Sequence, residues 1–300
     1  MTELLSYDFM QRALLAAVLV GVSAPAVGVF LVQRQLSLIG DGIGHVALAG
    51  VAVGLLTGTQ PIATALIVTV IAAVLIELVR ASGRTTGDTA LAIMFYGGIA
   101  AGVVLMSRAT TGGGTLDSYL FGAITTTSPT DLVTFAVLAA VVFALTWLLR
   151  SRLFAVAADP EYSRAVGVPV LALNILLTVL TAVTVVVSMR VVGLLLISAL
   201  MIVPNATSQL VARSFGSAVV LATAIGLACS VGGVAASYYL DTPSGGTIVV
   251  LAVGLFTVVS VVKAVTDGAR QRHRSRMARL RSGHGHDAAR EPAALREVAQ

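Results

Sequence analysis

The sequence predicts an all-α protein, a polytopic bundle of transmembrane helices, and three observations support that fold class. Of its 300 residues, 57% are hydrophobic and only 11% are charged. The mean hydropathy of +0.96 lies well above that of soluble domains. Uncharged stretches of roughly 20 residues, enough to cross a bilayer as a helix, follow one another with short breaks. A single membrane domain over residues 1–265 therefore accounts for nearly the whole chain.

Nine membrane spans are expected, with boundaries defined to within several residues. Residues 189–192 are also compatible with a re-entrant turn and residues 112–128 with a short partial helix, so eight spans is the alternative count. The nine spans cover residues 10–32, 36–57, 61–79, 89–107, 131–149, 170–189, 191–212, 215–239 and 244–262.

The net charge of +5 comes from the end of the chain. Residues 1–262 carry ten Arg and ten Asp or Glu, whereas residues 263–300 carry nine basic and four acidic residues. We therefore expect residues 266–300 to be a disordered cytoplasmic tail near anionic lipid, and we expect no nucleic-acid partner. With the tail inside, most other arginines also fall on the inner side, as the positive-inside rule requires. His284 and His286 in this tail are a faint metal-binding signal beside that simpler interpretation.

Two ionisable residues, Asp41 and His45, lie in the second span, within "LIGDGIGHVALAGVAVG". Four residues apart on a helix, they share one face about 6 Å apart, with Ser37 one turn closer to the cytoplasm. A carboxylate near the bilayer centre costs roughly 2.5–3.5 kcal/mol on insertion scales, so it should face a pore or a partner. Either the pair satisfies itself with an internal hydrogen bond, or its oxygen and nitrogen atoms are transient ligands for a metal such as zinc or manganese.

Small residues in the same span predict close packing. Gly50 and Gly54 are spaced four residues apart, which allows a neighbouring helix to approach the backbone closely. The second span is therefore expected to belong to a tightly packed bundle.

A short helix outside the membrane is expected between the fifth and sixth spans. Asp159 suits its N-cap, Pro160 its first position and Glu161 its first turn, where a negative charge faces the helix dipole. Gly167 suits the left-handed position at the end of about two turns. The segment is either a capped loop or a docking element for a cytoplasmic partner.

That segment resembles the coupling-helix region of ABC importer permeases, and the whole chain is similar to the zinc and manganese uptake permeases of that group. The resemblance covers roughly residues 8–265. One departure is Asn205–Ala206, where the family usually has two alanines after the proline. The stretches that carry the resemblance are the one around Asp41 and four others: "TGDTALAIMFYGGIAAGVVLMS", "SYLFGAI", "RVVGLLLISALMIVPNAT" and "LDTPSGGTIVV".

The resemblance implies that Asp41 and His45 form a transient site for the passing metal, zinc being the expected ion. It also implies that residues 151–169 are the segment that couples to the ATPase, through Asp159, Pro160, Glu161, Tyr162, Arg164, Ala165 and Gly167. Pro204 with Asn205 is expected to break or bend the seventh span and, with Ser37, to shape the pathway. Asp241 in the outer turn is a candidate contact for cations or a binding protein, although its turn sequence explains it as well.

The implied function is the permease subunit of an ATP-binding cassette importer, in the cell membrane, for zinc or a similar divalent metal. The implied partners are a second copy of the chain, cytoplasmic ATPase subunits, and an extracellular or periplasmic metal-binding protein. The sequence has no G-x-x-x-x-G-K-[ST] loop and a single lysine, Lys263, so no enzyme activity or bound cofactor is expected and ATP belongs to the partner.

A proton- or gradient-coupled secondary transporter or channel, with Asp41 and His45 as a proton relay, is the alternative. Oxygen and nitrogen donors leave zinc, manganese and iron open.

Overall fold

The computed structural model describes residues 7–83, 87–108, 116–122, 128–194 and 196–267, and every regular element within these ranges is an α-helix. In chain order the helices are α1 (Asp8–Gln33), α2 (Ile39–Leu56), α3 (Pro61–Ala81), α4 (Gly87–Met106), α5 (Leu116–Phe121), α6 (Pro129–Leu148), α7 (Arg150–Ala158), α8 (Pro160–Ala165), α9 (Val170–Val192), α10 (Ile197–Val211), α11 (Phe215–Leu240) and α12 (Ser244–Asp267).

Eight of the described helices are long and apolar enough to cross a membrane: α1, α2, α3, α4, α6, α9, α11 and α12. They correspond to eight of the nine expected spans. The seventh expected span is the 15-residue α10. At 1.5 Å per residue α10 is about 22 Å long, shorter than the roughly 30 Å hydrocarbon core, so it begins at a break inside the bundle.

That break lies a few residues later than the sequence suggested. α9 continues through residues 189–192, and the chain turns at Gly193, whose φ is 91°. The N–H of Leu194 donates to the carbonyl oxygen of Tyr119 in α5 at 2.9 Å. A Cβ at Gly193 would lie 2.4 Å from the carbonyl oxygen of Leu120, so only glycine fits there. The partial helix suggested within residues 112–128 is α5.

The sequence led us to expect that Pro204 breaks or bends the seventh span. It does not break the span, because α10 continues through it, and the bend stays a prediction. The fully buried Asn205 next to it braces the helix. Its Nδ2 donates to the carbonyl oxygen of Met201 within α10 at 2.7 Å and to that of Pro25 in α1 at 2.9 Å. The Asn205 amide therefore links α10 to the backbone of α1 at Pro25.

α2 is the most closely packed helix around the candidate site, and its glycines explain why. A Cβ at Gly50 would lie 2.6 Å from the Cα of Ala65, and one at Gly54 would lie 2.7 Å from the Cα of Pro61, both in α3. Across the other face, a Cβ at Gly98 of α4 would lie 2.8 Å from a backbone nitrogen of α2. The close contact expected from the glycine spacing is confirmed.

We expect Gly50→Val to destabilise the protein, by about 1–3 kcal/mol as is usual for overpacked cores. The new Cβ would meet the backbone of α3, which cannot move aside as a flexible side chain could. The measurement is thermal unfolding of the purified chain in detergent. Gly97→Val in α4 is the matched control, because a Cβ there has no atom within 4 Å. Equal midpoints for the two variants would refute this account of the packing.

The chain divides into two compact units, Met1–Phe256 and Thr257–Gln300. Within the second unit the structure describes residues 257–267, which are the end of α12. Most of the expected tail at residues 266–300, including His284 and His286, lies outside the described residues. The boundary at residue 265 stays a prediction.

Candidate functional site

Asp41 and His45 lie in the first half of α2, and both side chains are half-buried. At 1.5 Å per residue they stand about 3 Å and 9 Å from the first residue of that helix along its axis. Ser37 was expected to lie on the same helix face as Asp41 and His45. It does not, because the helix begins at Ile39 and Ser37 lies in the preceding turn. That turn is tight, with Gln35 in the left-handed region at φ 57°.

Each of the two ionisable groups contacts a different neighbouring helix. The hydroxyl of Ser198, in the first turn of α10, donates to Oδ1 of Asp41 at 2.5 Å. The ring of His45 packs edge-to-face against Phe95 of α4, with 4.5 Å between ring centroids and an interplanar angle of 82°. The first turn of α10, just after the break at Gly193, is therefore tied directly to the carboxylate on α2.

Asp41 and His45 do not pair with each other. The described residues contain one ion pair, Arg80 with Glu77, and no hydrogen bond joins Asp41 to His45. The internal hydrogen bond considered from the sequence is therefore not formed. Within the described part of the chain, the second oxygen of Asp41 and both ring nitrogens of His45 have no hydrogen-bonding partner.

This arrangement offers two metal donors of different type on one helix face. Among the described residues no group of three or more His, Cys, Asp and Glu is close enough to hold a metal ion. Asp41 and His45 are thus the two candidate side-chain ligands that the described part of one chain brings to this face.

The short helix expected between the fifth and sixth spans is present and capped as the sequence indicated. Oδ1 of Asp159 accepts hydrogen bonds from the N–H groups of Glu161 at 3.0 Å and Tyr162 at 2.9 Å, and Pro160 starts α8. Gly167 has a φ of 81°. α8 has six residues, close to the two turns expected, and the nine-residue α7 before it was not anticipated.

Most side chains of α8 and of the residues that follow it are exposed. Tyr162 is 65% exposed, and Glu161, Arg164, Ala165 and Gly167 are exposed beside it, whereas Ser163 is buried. An open cavity of about 480 Å³ lies next to this face, between Arg164 and the start of α9. α8 therefore leaves an aromatic, a basic and an acidic side chain exposed together.

The remaining site residues are placed as follows. Asn205 and Pro204 lie in the contact between α1 and α10, and Asp241 is the exposed left-handed residue that ends α11, at φ 52°. The pathway role of the first two and the contact role of Asp241 stay predictions.

Sequence reasoning missed two partners of charged residues that lie on other helices. Besides Ser198, it missed Asn174, whose Oδ1 accepts a hydrogen bond from Arg34 at 2.5 Å. This contact lies near the ion pair of Glu77 and Arg80, which the spacing of three residues on α3 does indicate. Burial lowers the pKa of the Arg34 guanidinium, and the Glu77 carboxylate opposes that shift. One feature of the sequence could have pointed to these partners: Asn174 and Ser198 are each a polar residue within an apolar run.

Comparison with known proteins adds a family. The model of the ABC 3 transport family matches residues 6–263. The chain is 33% identical to the manganese transport system membrane protein MntC of Halalkalibacterium halodurans, over 85% of this chain and 88% of that one. It is 32% identical to the chelated iron transport system membrane protein YfeD of Yersinia pestis, over 87% of each chain. The solved structure of PsaBC from Streptococcus pneumoniae, in complex with Fab, superposes with a TM-score of 0.76 at 32% identity, over 85% of this chain and 92% of that one.

Proposed function

This chain belongs to the ABC 3 transport family as a multi-pass permease component of a metal importer, and we propose that it passes a divalent metal ion along Asp41 and His45 of α2. Family membership indicates three partners: ATPase subunits, a substrate-binding protein and a second permease. The ATPase docks on α8 from the cytoplasm and supplies the ATP hydrolysis for which this chain has no phosphate-binding loop.

One observation carries the proposal for the metal: Asp41 and His45 share a helix face, yet each is held by a different neighbour and not by the other. A carboxylate oxygen and an imidazole nitrogen thus remain available a single helical turn apart. Two ionisable groups that are not hydrogen-bonded to each other are costly within a membrane unless they serve an ion pathway.

The cargo we propose is a first-row divalent cation, with manganese ahead of zinc. The relatives are named for manganese and for iron transport. One oxygen and one nitrogen donor, without sulfur, suit manganese and ferrous iron at least as well as zinc. Zinc, the ion expected from the sequence, stays a prediction.

The two candidate functions differ in their energy source: the importer needs ATP hydrolysis, whereas a secondary transporter needs an ion gradient. We expect vesicles that contain the permease with its co-purified ATPase to accumulate manganese when the substrate-binding protein is outside and ATP is enclosed with the ATPase, with little accumulation when a non-hydrolysable analogue replaces ATP. Vesicles that contain the permease alone, under an imposed proton gradient, are the second arm. Metal accumulation in that arm, equal to the rate with ATP, would overturn the importer proposal in favour of the secondary transporter.

A further inference from the structure

An apolar groove runs along the inner half of α6 and α11, on a part of the molecule that takes no part in the proposed metal pathway. Its volume is about 620 Å³. α1 forms its floor with Ala26 and Phe30, while Phe143, Trp147 and Phe215 contribute to its walls. The hydroxyl of Thr146 donates to the carbonyl oxygen of Val142 at 2.6 Å, so this wall residue presents no free polar group to the groove.

The groove has the length of one lipid leaflet. Along α11 its lining runs from Phe215, the first residue of that helix, to Leu227. Twelve residues at 1.5 Å span about 18 Å, close to the roughly 15 Å that half of a bilayer's hydrocarbon core measures. With the chain oriented as the positive-inside rule requires, a groove of this length reaches from the inner surface to near the middle of the membrane.

The residues that line this apolar groove include one cation, at its inner end. Arg150 lines it, and its Cζ lies 4.6 Å from the centroid of the Trp147 ring. Stacking uses the face of the guanidinium and leaves the N–H donors at its edge, which are well matched to a phosphate. Among the described residues the one ion pair is between Arg80 and Glu77, so no carboxylate neutralises Arg150.

From the apolar length and the cation at its inner end, we propose that this groove is a binding site for an anionic phospholipid of the inner leaflet. One acyl chain lies along the groove between α6 and α11, and the phosphate accepts hydrogen bonds from the edge of the Arg150 guanidinium. Trp147, which is 71% exposed, stands where the glycerol and the first acyl carbons meet the protein.

The test uses Trp147, which is the only tryptophan of the chain. The full-length permease is reconstituted in phosphatidylcholine, and tryptophan fluorescence is measured while brominated phosphatidylglycerol or brominated phosphatidylcholine is titrated in. We expect phosphatidylglycerol to occupy the site about fivefold more strongly, the factor that one arginine near an anionic surface supplies. Arg150→Gln should remove that preference, whereas Arg152→Gln, an exposed arginine outside the groove lining, should keep it.

A second variant fills the groove without changing any charge. A Cβ at Gly216, in the groove wall, meets no atom within 4 Å, so Gly216→Leu places its side chain in open space. It should also abolish the preference for phosphatidylglycerol. Equal quenching of the wild type by the two lipids, or a preference that survives Arg150→Gln, would overturn the proposal. Absence of quenching by either lipid would overturn it too, because the groove would then be covered by a second copy of the chain.

Discussion

Replacing Asp41 with Asn, or His45 with Ala, is expected to reduce metal import about a hundredfold or more at equal membrane abundance. Losing a residue that merely orients a metal ligand typically costs 10–100-fold in affinity or activity, so losing one of two protein ligands should cost at least the upper end of that range. The measurement is uptake of radioactive manganese by cells that express each variant as the only copy.

The controls separate the chemistry of the site from its surroundings. Asp88→Asn, which removes an exposed carboxylate in the first turn of α4, should import normally. Ser198→Ala removes the hydrogen bond to Asp41 but leaves both donors, and it should weaken apparent metal affinity by about tenfold while sparing the maximal rate. Normal import by Asp41→Asn and His45→Ala would remove the pair from the pathway.

Changing the exposed face of α8 is expected to release the ATPase. Tyr162→Ala and Arg164→Glu alter two exposed side chains of the residue types that dominate binding energy at protein interfaces. Each should weaken binding by about 2 kcal/mol or more, roughly thirtyfold. The amount of ATPase that co-purifies with the permease measures the binding, and import should fall in parallel.

The matched control for this face is Arg213→Glu, which reverses an exposed charge in the turn between α10 and α11. It should retain the ATPase. If Arg213→Glu releases the ATPase as strongly as Arg164→Glu does, the general positive charge of the inner surface, and not α8, carries the interaction.

The helices and their order could be predicted because each span is an apolar run bounded by polar residues. Local rules also gave the cap at Asp159 and the left-handed Gly167, since both depend on residues within one turn of the chain. The separate α7 could not be predicted in the same way, because no capping side chain marks the boundary between α6 and α7 at Leu149.

The hydrogen-bonding partners that lie on other helices could not be predicted from the sequence. Ser198 is 157 residues from Asp41, and Asn174 is 140 residues from Arg34. Nothing local marks which face of an apolar helix will meet another. The same limit explains the break at Gly193, because that glycine is required by the backbone of α5, more than 70 residues earlier in the chain.

The most direct test of the account is to observe manganese bound to the site. The permease is produced with ¹⁵N-labelled histidine, assembled with its ATPase without nucleotide and loaded with Mn²⁺, and electron–nuclear double resonance is recorded. We predict a ¹⁵N coupling to the metal that is lost in His45→Ala and kept when the other three histidines of the chain, His273, His284 and His286, are all replaced. A coupling that persists in His45→Ala, or bound manganese without any nitrogen coupling, would contradict the claim that the ion passes through His45.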